Sequence, residues 1–157
     1  MRHTKVTDRI YLGDVYCCRE VGQGANTPTL HITSPGEEFC GMAKEAAGYL
    51  MHEDLVQWGG GDAVLGWDEF NQPLTHHMLH QCEKWAEKHD EVFIHCHAGL
   101  HRSPTVALAL ACVLDGMDFF DAIALVGEAM REYDISVAPQ WTGADLRTVS
   151  KWLDRRW

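Results

Sequence analysis

The sequence is short of positive charge. Its 13 lysines and arginines stand against 23 aspartates and glutamates, a formal net charge of −10. So acidic a chain has no general attraction for nucleic acid or for anionic membranes, and neither is expected as a partner. An anionic substrate would have to be held by a local arrangement. Long apolar runs are missing as well. Nothing approaches the length of a membrane span, and the opening MRHTKVTDRIYLGD has no apolar segment of the secretory kind. There is no internal repeat, low-complexity tract or dividing linker. Residues 1–157 are therefore expected to form a single domain, long enough to bury a real core.

A disulfide framework is also lacking. Of the 6 cysteines, Cys17 and Cys18 are adjacent, while Cys82 and Cys112 sit inside helix-like patterns; Cys40 and Cys96 complete the set. That distribution is unlike a secreted scaffold and fits a reducing, cytoplasmic setting with mostly buried free thiols.

What is present alternates between strand and helix. Arg9–Leu12 and Thr29–Thr33 are β-rich and stop at glycine or at the turn Ser34-Pro35-Gly36. Residues Glu37–Leu50 are helical in composition. Val56–Gly61, with three successive glycines, reads as a loop, and Ala63–Trp67 as a strand that delivers Asp68. Pro73 suits the first turn of a helix whose stripe is Leu74, Met78, Cys82 and Trp85. Glu91–His95 reads as a buried strand, and Ser103–Leu114 as a helix apolar nearly all round and hence central. Asp118 caps a helix through Arg131 with Phe119, Ile123, Val126 and Met130 inward, and a last helix spans Thr142–Trp157. The predicted architecture is α/β, a central, mostly parallel sheet flanked by helices. In such sheets the functional crevice lies at the carboxyl ends of the strands.

The segment FIHCHAGLHRSPTVALAL occupies that place. Between a buried strand and a buried helix, the loop His97, Ala98, Gly99, Leu100, His101 can curl so that its amides converge on an anion at a helix N-terminus. Gly99 relieves the turn. Arg102 adds a planar fork of donors matched to two phosphate oxygens. Helix N-termini and nearby cations favour a thiolate over a thiol, so Cys96 is expected as an anion under the bound phosphoryl group. Ser103 would donate to the sulfur and stabilise it as a leaving group, and His95 would orient the loop through its ring N–H.

HCHAGLHRSP resembles the Cys-x5-Arg signature of the cysteine-based protein tyrosine phosphatases, and Ser103-Pro104-Thr105 looks like the dual-specificity branch. RIYLGD and DFFDAIALVGEAMREYDISVAPQW resemble further segments of those domains. The resemblance spans most of residues 6 to 153 and is weakest between 36 and 66. It implies hydrolysis of phosphoric monoesters through a phosphocysteine, with no cofactor and with an aspartate as general acid, then base. The substrate it implies is a phosphorylated protein, bearing phosphotyrosine and also phosphoserine or phosphothreonine. Asp68, in WDEFNQP, resembles the acid loop of the family. Asp54, in MHEDL, competes with it, and Asp62 is third. His97 and His101 stand where phosphoinositide-directed relatives often carry lysine, which weakens a lipid reading.

Other readings remain open at this level. A phosphoinositide or RNA 5′-phosphatase could use the same scaffold. His95, His97 and His101, with Cys96 among them, have a spacing able to bind zinc. An intact loop could also bind phosphate without turning it over. Oligomeric state leaves no signature in the sequence.

Overall fold

The computed structural model describes residues 3–13, 28–33, 55–57, 74–96, 101–133 and 138–156. Among the described residues, five strands form one sheet: β1 (His3–Lys5), β2 (Ile10–Gly13), β3 (Thr29–Thr33), β4 (Leu55–Gln57) and β5 (Val92–His95), in the order β1-β2-β5-β3-β4. β1 runs antiparallel to β2. Every other pairing is parallel. The α/β, mostly parallel expectation therefore holds, and the carboxyl ends of β2, β5, β3 and β4 line one edge.

The period of two explains the sheet's two faces. Ile10, Leu12, Leu30, Ile32, Val92 and Ile94 point into the main core. Their neighbours Tyr11, Thr29, His31, Phe93 and His95 take the opposite face, where Tyr11 packs on the fully buried Phe93. β5 is buried at all four positions, as a central parallel strand must be.

Four helices are described: α1 (His76–Ala86), α2 (Arg102–Leu114), α3 (Phe119–Tyr133) and α4 (Gly143–Asp154). α2 is buried from Arg102 to Cys112 and touches β2, β5 and the other three helices. It ends where Gly116 takes φ +67°, a conformation that suits glycine, and the Met117 N–H returns to the Ala111 carbonyl at 3.4 Å. Asp118 Oδ2 accepts the Phe120 N–H at 3.1 Å, so it caps α3 as expected. Val126 and Met130 are buried along the predicted stripe, with Phe119 and Ile123 partly so. α4 begins with a capping box between Thr142 and Asp145. Trp152 lies in the core and Trp141 packs against it. Arg156 stacks over the Trp152 ring at 5.0 Å and pairs with Glu83.

Some boundaries move. The second strand runs one residue later than Arg9–Leu12, and β1 has no counterpart among the predicted elements. Val56 and Gln57, read as loop, belong to β4, because Leu55–Gln57 pairs with His31–Thr33. The glycines begin only after that pairing ends, so sheet context outweighs their loop signal. α1 starts at His76, with the Thr75 hydroxyl accepting the Met78 N–H at 3.2 Å, rather than at Pro73. Even so, Leu74, Met78, Cys82 and Trp85 are all buried, as their spacing predicts. The last helix stops at Asp154. The predicted helix Glu37–Leu50 and strand Ala63–Trp67 lie outside the described residues.

Candidate active site

β5 delivers Cys96 at the carboxyl edge of the sheet, and α2 opens at Arg102. The two ends are tied through the sulfur. Cys96 Sγ accepts the Ser103 N–H at 3.4 Å and lies 3.3 Å from Ser103 Oγ. The same hydroxyl reaches the Gly13 carbonyl at the end of β2, at 3.4 Å. A hydroxyl has one proton to give. With a protonated sulfur it can serve Gly13 while the thiol donates to Oγ. With an anionic sulfur it can turn to Sγ, beside the amide that already points there. A backbone N–H and a hydroxyl at the first turn of a helix are the donors a sulfur anion needs.

Arg102 is almost wholly buried, and its Nη1 donates to the Ile32 carbonyl at 3.1 Å. The guanidinium is thereby held to β3, which pairs with β5. Its planar fork is locked by packing rather than left to sample solvent, as a bidentate phosphate contact requires.

The residue before it is locked as well. The His101 carbonyl receives the Thr105 N–H at 3.2 Å and the Thr105 hydroxyl at 2.7 Å. Its ring Nε2 lies 2.6 Å from Asp145 Oδ2, both side chains buried. That oxygen also accepts the Thr142 N–H at 3.1 Å. Burial pushes the Asp145 carboxyl upward. The hydrogen bonds from His101 and Thr142 and the positive His101 ring outweigh it, so the carboxyl sits below its ordinary value of 3.8. The sequence placed His101 in the substrate loop; its imidazole is spent on α4.

His95 is engaged at both ring nitrogens. Nδ1 faces the Cys96 carbonyl at 3.1 Å, and Nε2 faces His31 Nδ1 at 2.7 Å. The rings of His95 and His101 thus look to different partners, which is not the convergence a shared zinc ion would need.

The two other described cysteines are of a different kind. Burial pushes the Cys82 thiol up to about 12. Burial and the nearby Asp118 push Cys112 up to about 11. Both are inert core thiols.

His97, Ala98, Gly99 and Leu100 lie outside the described residues, as do Asp68, Asp54 and Asp62. Sequence reasoning missed His31, Asp145 and the Gly13 carbonyl. For Asp145 a signal existed, since Thr142-Gly143-Ala144-Asp145 is a capping-box pattern. For His31 the only hint was an imidazole inside the β-branched run TLHIT.

No protein-family model matches the sequence, and a search of curated proteins finds no match. Solved structures do match. A structure of PTPMT1 in complex with PI(5)P superposes with a TM-score of 0.70 at 16% identity, covering 99% of this chain and 96% of that one. The PTP-2 phosphatase of Cydia pomonella gives 0.66 at 18% identity, over 96% and 89%. A human tyrosine phosphatase-like serine/threonine/tyrosine-interacting protein gives 0.62 at 14% identity, over 99% and 97%. At such identities the likeness is one of fold.

Proposed function

We propose that this chain, which has the fold of the cysteine-based tyrosine and dual-specificity phosphatases, hydrolyses phosphoric monoesters through a phosphocysteine, with residues 1–157 as one catalytic domain. The observation that carries the reading is Cys96 Sγ, bracketed by the amide and hydroxyl of Ser103 and followed by a buried, anchored Arg102. The thiolate attacks phosphorus as the ester oxygen leaves, and Asp68 gives that oxygen its proton. Arg102 and the amides of residues 97 to 101 hold the equatorial oxygens. In the second step the Asp68 carboxylate takes a proton from water. The water oxygen bonds to phosphorus, the S–P bond breaks, and the sulfur departs with its electron pair stabilised by Ser103. No cofactor enters either step, and the free thiol suits a reducing, cytoplasmic setting.

A phosphorylated protein is the substrate favoured here, with phosphotyrosine first and phosphoserine or phosphothreonine also admitted. What supports it is the shortage of cations at the loop. His97 and His101 stand where phosphoinositide-directed relatives often carry lysine, and the His101 ring is committed to Asp145. A second reading, a phosphoinositide headgroup, is favoured by the likeness to a structure that holds PI(5)P.

The test is a panel of phosphotyrosyl, phosphoseryl and phosphothreonyl peptides, phosphoinositides and 5′-triphosphorylated RNA, assayed with wild type and Cys96→Ser. Wild type should release phosphate fastest from the phosphotyrosyl peptides, and Cys96→Ser should release none. Preferential release from phosphoinositides would select the second reading. Binding without turnover by wild type would make the chain a phosphate reader.

A further inference from the structure

β3 and β5 run in parallel register, with His31 the Cα partner of His95. Paired positions share a face, so two imidazoles meet just where the sheet delivers Cys96. The rings stand edge to face, centroids 4.5 Å apart and planes at 85°. Both side chains are buried. Their facing nitrogens, His95 Nε2 and His31 Nδ1, are 2.7 Å apart. A metal bridging them, with bonds of about 2.0–2.1 Å in tetrahedral geometry, would hold them roughly 3.3 Å apart. The contact is a hydrogen bond.

Proton counting sets the roles. A carbonyl oxygen only accepts, so His95 Nδ1 carries a proton and gives it to the Cys96 carbonyl at 3.1 Å. In a neutral His95, Nε2 is then bare and accepts, which makes His31 Nδ1 the donor. We propose that His31 is a positioning residue of this site. Its Nδ1–H holds His95 in the tautomer that anchors the Cys96 carbonyl, and so sets the direction in which the nucleophile's main chain leaves β5. The catalytic consequence rests on the phosphatase reading; the proton arrangement does not.

Without a donor at Nε2, the Cys96 carbonyl alone still selects that tautomer, and the preference for it is weaker. The other one turns a bare Nδ1 toward a carbonyl oxygen, lone pair against lone pair. In a buried setting that arrangement is costly, and the ring or the carbonyl has to turn. Sγ would then lose its alignment with the Ser103 amide and hydroxyl. His31 touches no substrate in this scheme and acts only through His95.

The experiment pairs imidazole nitrogen NMR with aryl-phosphate kinetics on the full chain, for wild type, His31→Leu and His31→Asn. Asparagine places an amide N–H near the position of Nδ1 and so keeps the donor. In wild type, His95 should show Nδ1 protonated and Nε2 bare. His31→Leu should weaken that signature and lower kcat about tenfold with little change in KM, the size one net hydrogen bond can carry. His31→Asn should restore most of both. The proposal is overturned if wild-type His95 carries its proton on Nε2, or if folded His31→Leu keeps wild-type kcat and tautomer. Should the leucine variant fail to fold, the wild-type spectrum and the asparagine variant still decide. An inactive wild type would overturn the phosphatase reading, while the spectra would still settle the role of His31.

Discussion

The ring of His101 and the carboxylate of Asp145 meet at 2.6 Å inside the protein. The contact fastens the first turn of α4 to the residue that precedes Arg102. The same carboxylate oxygen closes the capping box with Thr142, so one atom serves both the helix cap and the entry to α2.

Removing that carboxylate should therefore be felt in stability. Asp145→Ala should cost about 1.5–3 kcal/mol, the range for a hydrogen bond to a charged group, read by urea denaturation near neutral pH. The pH dependence has a definite sign. The folded carboxyl lies below its unfolded value of 3.8, so its contribution is fully present above that value and is lost as pH falls through the folded one. Wild type and Asp145→Asn should converge in stability as pH drops below 3.8. A gap that stays constant down to acid-induced unfolding would refute the assignment.

Ser103 faces the sulfur with two donors, and only one belongs to its side chain. Ser103→Ala removes the hydroxyl and leaves the amide. Expulsion of the thiolate from the phosphocysteine should slow about tenfold, as for one hydrogen bond lost in a transition state. Rapid-quench kinetics with a good leaving group should show a burst of alcohol release ahead of a slower steady state. A uniform slowing with no burst would place the hydroxyl's role in the first step instead.

For the general acid, leaving-group dependence is the diagnostic. Asp68→Ala should lose about 10²–10⁴-fold in turnover of alkyl or poor aryl phosphates and far less with an activated nitrophenyl ester. If Asp54→Ala gives that pattern and Asp68→Ala does not, the acid is Asp54.

Thiol chemistry should separate Cys96 from the core cysteines. With thiols pushed up to about 12 and about 11, Cys82 and Cys112 should resist iodoacetamide in the folded protein at neutral pH. Cys96 should be alkylated with loss of turnover, and inorganic phosphate should protect it. Peptide mapping by mass spectrometry reads all three sites at once. Labelling of Cys82 or Cys112 ahead of Cys96 would contradict the view that only Cys96 is activated.

How much of this was legible beforehand differs from element to element. VFIH announced a buried strand because β-branched and aromatic residues crowd a short run. RSPTVALALACVL announced a central helix because it has no polar face. Both periods are local properties of the chain, and the Cys96–Arg102–Ser103 spacing between the two elements is local too. β4 was misread because three residues became a strand only by lying beside β3. β1 was missed for the same reason.

The sequence by itself determined the order of strand, loop and helix, the thiol and guanidinium at the junction, and the stripe each helix buries, since these depend on neighbours a few residues apart. Tertiary structure alone decided that His31 would meet His95 across a strand register, that Asp145 would reach His101 across 44 residues, and that Gly13 and Ile32 would lend their carbonyls to Ser103 and Arg102. Such contacts follow from how strands pair and helices pack, and no short-range pattern along the chain encodes the partner of a hydrogen bond made between elements.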